Sequence, residues 1–529
     1  MGNVSILDCT LRDGGYINQW KFGKTNITKI IEGIEESGVE IVECGFLKDI
    51  PFDEDSSLYP NEIEMSQAFH KKRNTMYVGM IALGDVDPNT IGPRTSEGID
   101  GIRLTFHKPD LEEEFAQAEI LMKKGYEVFI QPVGTTTYSD SELIELIKRI
   151  NQLHPFAFYI VDTLGIMYPE DIQRLYSIVN HNLDSNIKIG FHSHNNLQLS
   201  FANAQLFISE GFRREGGVII DSSIFGMGRG AGNLATELIT QYINKTYGQM
   251  YNPIPLLAVA DRYLNQIYMA TPWGYSTPYY LSAVNNCHPN YSNYLLTKKT
   301  LDIEDIAKIL NLLPDDSKEL YDKKLIESLY IDYQKSNTDD TDDLNELKHL
   351  FEGKEILVIA AGKSVPNNID KINDWAKSHD CMIVHINTIR EDIPADILFI
   401  SNAKKARSWK SDYPDLKTII SSNIHDKTVK PDYVVDYSSL LGNNSELDNA
   451  GLMFLTLLAR THTKKVTLAG YDGFTYDPAD YLEFVSGSYL QRDLDHKNAE
   501  ISRELWRLSK LIDISFLTPT LYTLEANHQ

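Results

Sequence analysis

The sequence predicts an α/β protein. Its first half reads as a (β/α)8 TIM barrel, followed by a helical and aromatic extension and a second, Rossmann-like α/β domain. Three observations carry this reading. Eight β-prone runs alternate with helical stretches between residue 3 and about 245. Most of these runs are near-continuously apolar, the pattern of strands buried on both faces of a parallel sheet. A fresh strand–helix alternation then begins near residue 353.

The strand candidates are VSILDCT (4–10), EIVECGF (40–46), MYVGMIA (76–82), GIRLTF (101–106), YEVFIQPV (126–133), FAFYIVD (156–162), IKIGFHS (187–193) and GGVIIDSSI (216–224). Between them, stretches such as TNITKIIEGIEESG and SDSELIELIKRINQL open on Ser, Thr, Asp or Asn and repeat apolar residues with a 3.6-residue period, as capped amphipathic helices do. Eight alternations in about 240 residues fit a closed barrel over residues 1–270. A doubly wound sheet would need a separate reason for the count of eight.

The segment TPWGYSTPYYLSAVNNCHPNYSNYL (271–295) opens an aromatic and helical extension reaching residue 333. It reads either as a lid or subunit contact, or as a hydrophobic docking seam. Residues 334–352, beginning QKSNTDDTDDLNELKH, read as an acidic linker. The second domain, 353–529, contains KEILVIAAGKSV, CMIVHIN, ADILFISN, TIISSN, DYVVDY and KKVTLAGYDGF.

A formal net charge of −24 over 529 residues argues against nucleic acid or an anionic membrane as partner, since both recruit Lys/Arg patches. No uncharged apolar run approaches the roughly 20 residues that span a bilayer. The four cysteines are scattered without a CxxC, and MGNVSILD lacks a basic or apolar leader. The expectation is a cytoplasmic protein with reduced thiols.

In a barrel the chemistry gathers at the C-terminal ends of the strands. Here those ends carry Arg12 and Asp13, Glu43, Arg103 and His107, Gln131, Asp162 and Thr163, His192 and His194, and Asn233. His192 and His194 stand two apart on a strand, so both imidazoles project from one face and can reach one metal. With Asp13 across the mouth, the set is two imidazoles and a carboxylate. Mixed N/O donors without thiolate favour Mn2+ or Mg2+, with Zn2+ or Co2+ able to substitute.

LDCTLRDG, HSHNN and GMGRGAGNLATE, in this order on a barrel, resemble the metal-dependent superfamily of 3-hydroxy-3-methylglutaryl-CoA lyase and 4-hydroxy-2-oxovalerate aldolase over roughly residues 1–300. The resemblance implies that Asp13, His192 and His194 bind metal, with Asn233 a fourth ligand or near neighbour. It also implies that Arg12 holds an enolate oxygen, while Glu43 and Thr163 support the metal's water and the substrate. Two departures matter. Tyr16 stands where the aldolases carry an acid/base histidine, and Arg229 occupies the glycine-rich loop where the lyase has a reactive cysteine.

The proton carrier is therefore sought among Tyr16, His107 and His288. A phenol is a poor base near neutrality unless its pKa is lowered, and histidine is chemically easier. Arg103, Gln131 and Arg229 are read as substrate contacts, the last meeting an anionic group or lying on the surface. The expected activity is a divalent-metal-dependent aldolase making or cleaving a C–C bond beside a 2-oxo acid, with an aldehyde as the other half. An acyl-CoA lyase or synthase, or a non-catalytic scaffold, are the alternatives.

In the second domain, ILVIAAGKSVPNN (356–368) is a strand, a small-residue turn and a helix start, a geometry able to meet phosphate. Together with KKVTLAGYDGF it is faintly similar to Rossmann-type sugar-transfer proteins. That likeness implies a nucleotide or sugar ligand and a role in carbohydrate or surface-polysaccharide metabolism. Gly362, Lys363 and Ser364 are the residues of interest there, and Asp472 reads as a turn residue. A homodimer is expected from the family resemblance and the aromatic segment.

Overall fold

Eight parallel strands close into a barrel: β1 (Val4–Asp8), β2 (Ile41–Leu47), β3 (Met76–Ala82), β4 (Gly101–Phe106), β5 (Glu127–Pro132), β6 (Ala157–Asp162), β7 (Lys188–Ser193) and β8 (Val218–Ser222). Each pairs with its sequence neighbours, and β1 pairs with both β8 and β2, which closes the ring. A two-residue strand, Leu58–Tyr59, adds to the end of β2. The eight runs seen in the sequence are the eight barrel strands. The computed structural model describes residues 4–248, 250–298, 301–335, 338–409, 416–425, 430–441, 448–475 and 491–524.

The helices bury the faces their periodicity presents. Lys24–Ser37 buries Ile27, Ile30, Ile31 and Ile34, and Asp140–Leu153 buries Leu143, Leu146, Ile147 and Ile150. The second of these starts on a capping box between Ser139 and Glu142, a device stabilising by about 1 kcal/mol. Outward strand residues such as Ile6, Val42, Ile102, Phe158 and Ile220 join the helices in the main core. The inward positions hold Leu7, Ile41, Val78, Phe129, Tyr159 and Ile219. Register places Asp221 beside Leu7 and Arg103 beside Phe129, so those charges share the interior with these apolar side chains.

The chain divides into two compact units, Met1–Pro289 and Asn290–Gln529. In the first, helices Ile254–Val259, Asn265–Ala270 and Thr277–Val284 follow the barrel. Trp273 of the aromatic segment docks edge-on against Phe225 at 5.5 Å and donates its indole N–H to the Phe225 carbonyl at 2.9 Å. This seats the segment on the loop that follows β8.

The second unit holds a seven-stranded parallel sheet: β9 (Glu355–Ile359), β10 (Cys381–Ile386), β11 (Ile397–Ile400), β12 (Lys417–Ser421), β13 (Tyr433–Val435), β14 (Lys465–Ala469) and β15 (Asp513–Phe516), in the order β13-β12-β11-β10-β9-β14-β15. The acidic stretch expected to be a linker contains a helix, Thr341–Phe351, whose Leu347 and Phe351 are buried in this unit's core. Its acidic residues Asp342 and Asp343 lie in the helix's first turn, where the macrodipole favours negative charge. Charge density concealed an amphipathic pattern. Among the described residues no helix is long and apolar enough to cross a membrane.

Candidate metal centre

Asp13 lies on the turn that leaves β1, and the backbone N–H of Asp13 donates to the Cys9 carbonyl at 2.8 Å. His192 is the next-to-last residue of β7, and His194 follows the strand on the same face. The three converge: Asp13 Oδ2 is 3.4 Å from His192 Nε2 and 4.0 Å from His194 Nε2. One ligand atom from each of the three lies within 4.8 Å of the other two. All three residues are buried.

Asn233 pairs with His194 through an isolated antiparallel bridge. Its side-chain Oδ1 is buried without a hydrogen-bond partner among the described residues, a vacancy that needs an explanation in a native site. A Cβ at Gly228 would come 2.4 Å from Asn233 Nδ2 and 3.0 Å from Asp13 Oδ1. Asp13 and Asn233 therefore flank the same glycine. Two imidazoles, a carboxylate and an orphaned amide oxygen fit a divalent cation.

Beneath this cluster runs a ring of buried charge. Arg12 Nη1 donates to Asp13 Oδ2 at 2.5 Å, and its Nε donates to Glu43 Oε2 at 2.8 Å. The same Glu43 oxygen pairs with Arg103 Nη1 at 2.8 Å. Arg103 Nη2 pairs with Asp221, whose Oδ2 meets His192 Nδ1 at 2.9 Å. The last contact holds the ring nitrogen that faces Asp221, leaving Nε2 toward Asp13, as carboxylate partners of metal-binding histidines do. The circuit Asp13–Arg12–Glu43–Arg103–Asp221–His192 thus closes on itself.

Burial pushes the Asp13 carboxyl up, but Arg12 first and then the two imidazoles outweigh it and hold it well below the usual range. Asp221 is lowered too, because Arg103 and His192 overcome its burial. The imidazoles move oppositely. Burial lowers His194 to about 3. It would also lower His192, but hydrogen bonds to Asp13 and Asp221 raise it. A neutral His194 and an ionised Asp13 are the states that ligate a cation.

Arg103 corrects an expectation. It was read as a substrate contact, yet it is fully buried, committed to Glu43 and Asp221, and lies 4.9 Å over the Tyr159 ring. Its charge is spent on the carboxylates below the mouth. Glu43 anchors both arginines through one oxygen, and its other oxygen has no hydrogen-bond partner among the described residues. Asp221 escaped sequence reasoning. The available signal was a single acid inside the apolar run VIIDSSI, on the strand beside the HxH strand.

Tyr16 is exposed, edge-on to Trp20 at 4.7 Å, with the Arg229 guanidinium 5.4 Å over its ring. His288 is buried and held at about 3 by that burial, with a smaller contribution from the Arg229 charge. Half-buried His107 follows β4, lowered by burial and raised in part by Asp110. Gln131 is buried and its Nε2 has no hydrogen-bond partner among the described residues. Thr163 Oγ1 accepts from the Gly134 N–H at 2.9 Å. For His107, Gln131 and Thr163 position at a strand end is the only observed link to the metal cluster. Asp162 is a turn staple, accepting from the N–H groups of Ile166 and Met167 at 2.9 and 3.1 Å.

Residues 110–252 match the HMGL-like family model. A 4-hydroxy-2-oxovalerate aldolase of Geobacillus genomosp. 3 is 25% identical over 245 residues, covering 46% of this chain and 71% of the relative. An oxaloacetate decarboxylase of Mycobacterium tuberculosis is 26% identical over 244 residues, covering 45% and 70%. Among solved structures, the N-terminal domain of a candidate aldolase from Bacteroides vulgatus aligns with a TM-score of 0.48 and 25% identity, covering 55% of this chain and 96% of that one. The superfamily and the Asp–His–His cluster together support a carbon–carbon lyase or aldolase. By family match, curated relatives and the order of its motifs, the barrel is homologous to the HMGL-like superfamily of 3-hydroxy-3-methylglutaryl-CoA lyase and 4-hydroxy-2-oxovalerate aldolase.

Proposed function

We propose that the barrel is a divalent-metal-dependent aldolase that makes or cleaves a C–C bond adjacent to a 2-oxo acid, with a pyruvate-type enolate as one half. The observation that carries this is the convergence of Asp13, His192 and His194 beside an arginine that still has a donor to offer. Asp13, His192, His194 and Asn233 would hold Mn2+ or Mg2+. When bound, the cation polarises the carbonyl next to the breaking bond.

The chain's own residues supply the rest. Arg12 commits Nε and Nη1 to Glu43 and Asp13, while its buried Nη2 has no hydrogen-bond partner among the described residues. That N–H is the donor for the oxygen on which negative charge develops as the C–C bond breaks. It is held in place by Glu43 and so reorganises little. Gln131, through its unpaired amide N–H, and Thr163, through its hydroxyl, serve the substrate's carboxylate side.

His288 is the proton carrier with the most support. It is buried, and the Arg229 charge that reaches His194 also reaches it; held at about 3 by burial, it takes up a proton only once the substrate's developing charge raises it. In the cleavage direction it takes the hydroxyl proton of the substrate. Tyr16 then acts through its ring, and half-buried His107 is the weaker candidate. Decarboxylation of a 2-oxo diacid is the second reading, favoured by the decarboxylase relative; it would use the same enolate-stabilising set.

For the second unit, the reversal of strand order at β9 supports a Rossmann-like reading. A phosphate at Gly362–Ser364 has less support. The Asp472 carboxylate already accepts from the Ser364 backbone N–H at 2.7 Å and from its hydroxyl. A nucleotide or sugar ligand, a place in surface-polysaccharide metabolism, a cytoplasmic location and a homodimer belong to this proposal only by analogy.

The test is hydrogen–deuterium exchange at the methyl group of pyruvate in D2O with Mg2+ or Mn2+, the metal chelated before the NMR spectrum is recorded. Exchange that needs both metal and His192 supports enolate chemistry. No exchange in a metal-loaded wild type overturns it.

A further inference from the structure

Among the described residues, Arg12, Arg103 and Arg229 stand at the barrel's mouth or beneath it, and Arg229 alone of the three has no ion-pair partner. Arg12 and Arg103 are paired with Asp13, Glu43 and Asp221. The guanidinium of Arg229 makes no ion pair or hydrogen bond among the described residues. Its one described contact is the face of Tyr16, 5.4 Å below. Arg229 is half-buried, where an unneutralised cation costs more than it would in open water.

Its position is not loose. The backbone N–H of Arg229 faces Asp13 Oδ1 at 3.3 Å, so the residue begins at the edge of the Asp–His–His cluster. The glycines on either side are tightly enclosed: a Cβ at Gly228 would strike Asn233, and one at Gly230 would lie 2.6 Å from Asn196 Oδ1. That same oxygen accepts from the Ala231 N–H at 2.8 Å, pinning the loop. The platform is fixed as well, since Tyr16 packs edge-on against Trp20 and Phe46. A cation is therefore held beside the Asp–His–His cluster on an aromatic surface, with no counter-charge among the described residues.

Planar guanidinium groups in this state pair with carboxylate or phosphate oxygens. On the 2-oxo acid reading, on which this inference rests, the first carboxylate of the substrate is taken up on the metal and Arg12 side. The anion that Arg229 awaits must then sit on the other half. We propose that Arg229, carried on Tyr16, selects substrates whose second half, the aldehyde half in an aldol reaction, bears its own carboxylate or phosphate. This makes Arg229 a specificity determinant particular to this glycine-rich loop.

The experiment compares three aldehydes in condensation with pyruvate by the Mg2+-loaded full chain: propanal, succinic semialdehyde and glyceraldehyde 3-phosphate. At least one anionic aldehyde should exceed propanal in kcat/KM by about 10- to 100-fold, the range set by a charged hydrogen bond. Whichever exceeds it identifies carboxylate or phosphate as the group selected. Arg229→Gln should collapse that ratio to near one, and Arg229→Lys should retain part of it. A ratio near one in the wild type, or one unchanged by Arg229→Gln, overturns the inference.

Binding without turnover separates this from the broader reading. By calorimetry, 2-oxoglutarate should bind the Mg2+-loaded wild type more tightly than 2-oxobutanoate, and Arg229→Gln should remove the difference. Equal binding overturns the inference. If that selectivity is present while pyruvate methyl exchange is absent from the wild type, the enolate reading fails and the anion subsite stands.

Discussion

The mouth of the barrel and the crest of the second sheet place carboxylates at equivalent points, just past the C-terminal ends of parallel strands, and use them differently. Asp13, after β1, takes one side-chain donor, from Arg12, and one long backbone contact, while facing two imidazoles. Asp472, after β14, is consumed by the amide and hydroxyl of a single residue, Ser364. A Cβ at Gly362 would come within 2.4 Å of the Gly470 carbonyl, so this turn is closed by backbone as well. The first arrangement leaves valence directed at a shared point. The second ties two strands together. Strand-end position alone does not make a site; unspent donors and acceptors do.

The largest break in that comparison is Asp13→Asn. It removes the ionised ligand and leaves Arg12 without its nearest counter-charge. Mg2+ or Mn2+ affinity, read by calorimetric titration, should fall by more than the roughly 10- to 100-fold that an outer partner commands, and pyruvate exchange should vanish with it. Retained affinity would show that the imidazoles and Asn233 hold the cation alone.

Asp221→Asn sharpens the comparison by cutting the ring without replacing a member of the cluster. Metal affinity should drop about 10- to 100-fold through loss of the His192 contact. Thermal or urea unfolding should show about 3 kcal/mol of destabilisation, because Arg103 keeps its buried charge with one partner fewer. A melt unchanged from the wild type would break the ring argument.

A third test concerns pH. Asp8, fully buried behind the mouth, is raised by its burial from 3.8 to about 6 despite hydrogen bonds from Thr10 and Thr236. A carboxyl raised in the folded state gives stability that is present below its unfolded pKa near 4 and lost as pH rises through 6. Two units correspond to about 3 kcal/mol. Asp8→Asn should flatten the stability curve between about pH 4 and 6, measured by urea unfolding. Asp13 runs the other way: lowered in the fold, it stabilises above about pH 4 and that contribution fades only at lower pH.

The smallest effect belongs to the second unit. Ser364→Ala removes the hydroxyl but not the amide from Asp472, and should cost about 1 kcal/mol in stability. Metal affinity of the barrel should not change. A change in metal binding would contradict the reading of Asp472 as a staple.

Much of the barrel was legible because its signals are local. Eight apolar runs gave eight strands, and the period-2 spacing of His192 and His194 placed both rings on one face. Asp13 could be matched to them because strand ends in a barrel share a mouth. The helix Thr341–Phe351 was hidden by its own charge: the Asp-rich start looked like a linker, although Leu347 and Phe351 are spaced to bury one face. Arg103 was misread because a cation at a strand end invites a substrate, and nothing nearby in sequence announces that its partner is 118 residues away.

What the sequence determined by itself was therefore periodicity, strand count, the faces of the histidines and a family likeness that singled out the Asp13, His192 and His194 cluster. Tertiary structure decided which charges are spent. Closure of β8 onto β1 brings Asp221 to Arg103 and His192, the turn after β1 sets Tyr16 under Arg229, and the second sheet folds Asp472 onto Ser364. Side-chain direction follows from backbone repeat, which neighbouring residues encode. Pairing of ions follows from distances that only the closed fold creates.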